Sequence, residues 1–196
     1  MSNATDNKSK EAKTVVQHLG DMHALESHIF QAVDKQAKLI QDFPDANQLY
    51  TKIKTTLEAH TTALQARIDE LGGTAGHPIK EGVAALAGIA AGLYDKTRTE
   101  QAADALRDDY TALNQAVIAY VMLHATASAF NDQVTAMLVK RNLTDNAKLV
   151  MEINNYMPTL VIEEFKKDGL SYDPGAAEAT LQVVREVWHQ PPHTSS

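Results

Sequence analysis

Leu57-Glu58-Ala59-His60-Thr61-Thr62-Ala63-Leu64 decides how the rest of the chain is read, because it sets a histidine where a helix should bury something apolar. Ile53, Leu57, Leu64, Ile68 and Leu71 recur at three- and four-residue steps, the spacing of one face of an α-helix, and His60 falls in the same row. A titratable side chain therefore points inward. Working backward along the chain, Val15, Leu19, Met22, Ile29, Val33 and Ile40 form a second stripe, with Glu26 filling the step between Met22 and Ile29. Working forward, Ala102, Leu106, Tyr110, Leu113, Val117, Tyr120, Ala127, Val134 and Leu138 form a third, and His124 lies one turn after Tyr120 in it. A fourth stripe comprises Leu149, Ile153, Met157, Leu160 and Phe165.

Punctuation between the stripes gives helix limits. The first helix is expected from Glu11 or Thr14 to Gln41, and Asp42-Phe43-Pro44-Asp45 ends it, since a residue before proline avoids the α region and Asp45 can cap the next helix. The second helix, from Ala46 to Leu71, returns antiparallel and stops at Gly72-Gly73. From Thr74 to Thr99 the chain turns to alanine and glycine, which predicts a short, closely packed crossover helix; Gly88 and Gly92 there have a close-packing spacing. The third long helix is read from Glu100 to Arg141, with Asn142-Leu143-Thr144-Asp145 as the turn into the fourth. Pro158 should kink or restart that fourth helix, Glu163-Glu164 reads as a solvated face beside Lys166 and Lys167, and Gly169 is the stop. A last helix from Ala176 to His189 carries Leu181, Val184 and Trp188.

Strand signals are missing, so the fold class is all-α. Four long helices with short, long, short connections describe an antiparallel four-helix bundle with one crossover. The resulting domain limits are a flexible N-terminal tail over 1–12, a bundle over 13–170, and a C-terminal helix and tail over 171–196.

Composition removes several functions. With 196 residues and 44% hydrophobic side chains the chain supports one domain with a core. A formal charge of −7 and no run of Lys or Arg leave no electrostatic footprint for nucleic acid or an anionic membrane, so neither is expected as a partner. The most apolar window, from Gly82 to Leu93, falls well short of the roughly 20 residues that span a bilayer, and a cytoplasmic location is expected. Without cysteine there is no disulfide framework, thiolate nucleophile or Cys-type metal site. Any metal must be held by His, Asp or Glu. No glycine-rich phosphate loop and no serine elbow is present.

A carboxylate-bridged di-iron bundle takes one Glu from each of two helices and a Glu-x-x-His from each of the other two. Glu26 suits the first helix and His60 the second, but the residue three before His60 is Leu57 and Glu58 is one position off the face. Tyr120 and His124 stand on the third helix, and the fourth has no histidine. Asp21-Met22-His23-Ala24-Leu25-Glu26 and the segment from Tyr120 to Ala127 resemble the first and third helices of small bacterial stress-associated ferritin-like proteins, over residues 14 to 168. That resemblance implies a ferritin-like bundle, a homodimer, a stress role and, in members with a full ligand set, two iron or manganese ions. Three uses of the inward polar residues remain open: a buried hydrogen-bonded network, a mononuclear or altered site for iron, manganese or zinc on Glu26, His60, His124 and His23, and a di-iron oxidase acting on oxygen or peroxide. The first requires no metal, and the last would make the chain an enzyme.

Overall fold

The computed structural model describes residues 2–73 and 101–188. Five helices are present among them: α1 (Ser2–Gln36), α2 (Pro44–Glu70), α3 (Ala102–Ala129), α4 (Gln133–Lys167) and α5 (Ala176–Trp188). No described residue is in a strand, and no described helix is long and apolar enough to cross a membrane. The crossover helix expected between Thr74 and Thr99, with Gly88 and Gly92, lies outside the described residues, as do His77 and His189.

The first four helices form a four-helix bundle, and polar contacts give its topology. His18 on α1 meets Thr126 on α3 at 3.1 Å, while Gln36 at the other end of α1 lies against Asp109 on α3. Arg67 near the end of α2 reaches Thr135 at the start of α4, and Lys52 pairs with Glu152 further along both helices. Neighbours around the ring are thus antiparallel, and the directions run up, down, down, up. α2 thus ends at the opposite end of the bundle from the start of α3, the helix order of ferritin-type bundles.

The rows read from the first two helices are the core. Val15, Leu19, Met22, Glu26, Ile29, Val33 and Ile40 are buried, as are Ile53, Leu57, His60, Leu64 and Ile68. α2 ends through Gly72 at φ 70°, in the left-handed region, with Gly72 N–H on Asp69 O and Gly73 N–H on Ile68 O, both at 2.9 Å. Gly73 then sits so close to α1 that a Cβ would fall 2.5 Å from Val16 Cγ1.

Several limits differ from expectation. α1 begins at Ser2, earlier than Glu11, and ends at Gln36. The third helix does not continue to Arg141. It stops at Ala129, where Asn131 takes a φ of 59°, and Asp132 caps α4 by accepting from Thr135 N at 3.0 Å. Arg67 locks that turn through Asp132 Oδ1 at 2.8 Å. Asn142 to Asp145 is therefore interior helix, not turn. α4 continues as helix through Pro158, so no restart occurs there. Glu164 is not solvated: it is buried, and its Oε1 accepts from Ala103 N at 3.0 Å, capping the free amides at the start of α3. α5 packs on α4 and buries no residue fully; Leu181 and Val184 are half-buried on it.

Candidate functional site

The apolar rows of four helices each yield one or two polar side chains at the same level of the bundle. α1 supplies Glu26, α2 His60, α3 Tyr120, and α4 Asn142 and Asn146; all five are at most 2% exposed. Glu26 Oε1 accepts from His60 Nδ1 at 3.0 Å and from Asn146 Nδ2 at 2.9 Å. Asn142 Nδ2 donates to the Tyr120 hydroxyl at 3.0 Å, and the Tyr120 ring stands edge-on to His60, with centroids 6.2 Å apart. Burial and the Glu26 carboxylate beside it push the Tyr120 phenol above its ordinary pKa, with Asn142 pulling the other way, so the hydroxyl keeps its proton.

Because Glu26 is an acceptor, His60 donates to it through Nδ1–H, which leaves Nε2 as the ring nitrogen facing away from Glu26. That atom is buried and makes no hydrogen bond; Asp145 Oδ2 stands 3.6 Å away. Glu26 Oε2 and Asn146 Oδ1 are also buried without hydrogen-bond partners. Both of these oxygens are acceptors.

The other two residues singled out from sequence are engaged elsewhere. His124 is half-buried on the flank of α3, with Nδ1 3.5 Å from Ser128 Oγ. Leu123, 1% exposed, occupies the inward position after Tyr120. His23 is half-buried, and its carbonyl accepts from Ser27 Oγ at 2.7 Å. The structure brings Glu26 and His60 together and adds Asn142, Asp145 and Asn146. A turn over residues 142 to 145, as the sequence is read above, conceals the helical phase of all three. The steps Val139, Asn142, Asn146, Leu149, Ile153 are three and four residues, and would have placed both amides on the inner row.

A second buried polar group lies nearer the other end of the bundle. Asp109 on α3 is 1% exposed, and Gln36, with its amide turned so that Nε2 faces it, donates to its two oxygens at 2.7 and 3.0 Å. Burial pushes the Asp109 carboxyl up to about 8, against a hydrogen bond from Tyr50 that lowers it, and Asp108 adds to the rise.

A family model described as "Domain of unknown function (DUF892)" matches residues 12–166, which is most of the chain. The chain belongs to this family. Its bundle is similar to two solved ferritin-like structures. One is an archaeal Dps homologue from Halobacterium salinarum, at a TM-score of 0.65 and 19% identity, over 76% of this chain and 81% of that one. The other is a Dps protein from Vibrio cholerae O1, a member of a broad superfamily of ferritin-like diiron-carboxylate proteins, at a TM-score of 0.64 and 15% identity, over 76% and 91%. No curated protein matches the sequence. At these identities the likeness establishes the fold, and this DUF892 member has a ferritin-like one. Its core donor set at the level of Glu26 is one carboxylate, one imidazole, two carboxamides and a phenol. Among the described residues, no three His, Asp or Glu side chains come together in a metal-holding group.

Proposed function

We propose that this protein is a ferritin-like bundle in which a hydrogen-bonded polar core stands in place of the di-iron centre, and that it acts without ferroxidase chemistry, as a cytoplasmic homodimer in a bacterial stress response. One observation carries the reading. Glu26 Oε1 already accepts from both His60 and Asn146, and Asn146 is on the helix that would have to supply anionic ligands. Two divalent ions bring four positive charges, and carboxylates must offset them in a low-dielectric core. This core offers one, so the residues present do not fit a di-iron centre. As a network the same groups are well matched: a buried carboxylate held by two donors is tolerable where an isolated one is not.

The dimer is supported by an uncharged face. From Ala112 to Val139 the only Asp, Glu, Lys or Arg is Asp132, and Ile118, Val121, Met122, Val134 and Met137 are 45–70% exposed there. A chain with net charge −7 can meet its own copy on that face without like-charge repulsion. The stress role rests on the resemblance of the first and third helices.

A second reading, a bundle-core enzyme using iron, manganese or zinc on Glu26 and His60, with His23 and His124 recruited, is favoured by Glu26 Oε2 and His60 Nε2 lacking partners. Metal content after purification without chelators, together with aerobic iron(II) oxidation, separates the two. The proposed reading expects no pair of metal ions per chain and oxidation at the uncatalysed rate. Stoichiometric iron or manganese lost on Glu26→Ala, with catalysed oxidation, would refute it.

A further inference from the structure

The helices α2 and α4 touch least of the ring neighbours, and the reason is local. α2 turns Ala59, Thr62 and Ala63 toward α4, side chains too short to close the gap, and a groove results. His60 lines it, with Asp145 and Arg141 across from it on α4. The His60 ring is therefore held from behind by Glu26 and presents its other nitrogen at the groove. That Nε2 is buried without a hydrogen bond, and the atom nearest to pairing with it is Asp145 Oδ2 at 3.6 Å.

His60 Nε2 and Asp145 Oδ2 face each other across 3.6 Å with no hydrogen bond between them, and in the singly protonated ring, with its proton on Nδ1 toward Glu26, both are lone-pair bearers. Such a pair repels unless a cation lies between. Two ligands on one tetrahedral ion with bonds of about 2.0–2.1 Å stand roughly 3.3–3.4 Å apart, so a shift of a few tenths of an ångström brings both into range. We propose that His60 Nε2 and Asp145 Oδ2 bind one divalent cation of the zinc type in the α2–α4 groove, with water completing its coordination.

The ligand types suit zinc, which takes imidazole nitrogen with carboxylate oxygen, better than magnesium, which prefers oxygen alone. Glu26 acts as the carboxylate that orients a metal-bound histidine, an arrangement that raises ligand basicity and fixes the ring. Asp145 is 40% exposed and its other oxygen lies 3.9 Å from Lys148 Nζ, which turns Oδ2 to His60. Of the remaining charges on the groove, Glu58 favours a cation and Arg141 opposes it. With two protein ligands and water, the binding is weaker than at a zinc site closed by three or four protein ligands. The inference rests on the proposed function in one respect: Glu26 must be a hydrogen-bond acceptor and not itself a ligand.

Cobalt(II) titration of the full chain tests it, with visible absorption reporting coordination and calorimetry with zinc reporting stoichiometry. One ion per chain is expected, with an absorption increase characteristic of nitrogen–oxygen coordination. Asp145→Asn, a change at a half-exposed position, should leave far-UV circular dichroism unchanged and weaken binding at least about tenfold. His60→Gln should abolish it, and Glu26→Gln should weaken it about 10–100-fold through loss of ring orientation. No binding up to about 1 mM metal, or binding that Asp145→Asn leaves intact, would overturn the site while leaving the polar-core reading standing. Two ions per chain, both lost on Glu26→Gln and retained in Asp145→Asn, would overturn both.

Discussion

Replacing Asn146 by aspartate changes one atom of the core and inverts the role of that position. Asn146 Nδ2 donates to Glu26 Oε1 at 2.9 Å, and both residues are fully buried. In Asn146→Asp an ionised pair about 3 Å apart would repel by roughly 5–6 kcal/mol at an effective dielectric of 20. Keeping the new carboxyl protonated costs less. Its unfolded pKa is about 3.9, so the cost at pH 7 is about 1.36 × (7 − 3.9), or roughly 4 kcal/mol. The neutral acid can still donate to Glu26, so this figure bounds the loss. Its pKa is raised in the folded state, which then binds more protons than the unfolded chain, and stability must fall as pH rises. At pH 5 the cost should shrink to about 1.5 kcal/mol. Urea unfolding followed by circular dichroism at the two pH values reads both numbers. A loss below about 1 kcal/mol that is equal at pH 5 and pH 7 would show that Asn146 does not donate to an ionised Glu26, and the polar-core reasoning would fail.

Other parts of the structure make separate expectations. Asp109 is raised to about 8 by burial, so the folded protein should lose stability as pH rises from about 4 to 8, at up to about 1.4 kcal/mol per unit; Asp109→Asn should flatten that slope, and an unchanged urea midpoint-against-pH curve would contradict it. Gly73→Ala forces a Cβ within 2.5 Å of Val16 Cγ1 and 3.0 Å of Ile68 Cγ2, and should cost about 1–3 kcal/mol in thermal or urea unfolding. Met122→Glu combined with Met137→Glu, at side chains 63% and 70% exposed, should convert a dimer to monomer by light scattering without loss of helicity; a dimer that persists would place the interface elsewhere.

The fold was legible because α1 and α2 each carry a single apolar row, in which Glu26 and His60 stand out by contrast. Ambiguity entered where two residues satisfied the same step. Leu123 and His124 both follow Tyr120 at helical spacing, and the leucine takes the inner position because burying it needs no hydrogen-bond partner. The α3–α4 turn was harder still. Phe130-Asn131-Asp132 contains neither glycine nor proline, and its signal is an asparagine tolerant of the left-handed region followed by a capping aspartate. Missing it hid the helical phase of Asn142 and Asn146, and with it half of the candidate site. What no periodicity reports is pairing across helices, such as the capping of α3 by Glu164 or the facing of Asp145 and His60.

Anaerobic iron(II) binding, measured by equilibrium dialysis against the full chain and its Glu26→Gln variant, tests the polar core most directly. A core with one carboxylate, already committed to His60 and Asn146, should take up no pair of iron(II) ions: at most the single ion of the α2–α4 groove binds, and Glu26→Gln should lower stability and weaken that one ion without removing a second. Two iron(II) ions bound per chain in the wild type, and none in Glu26→Gln, would contradict it.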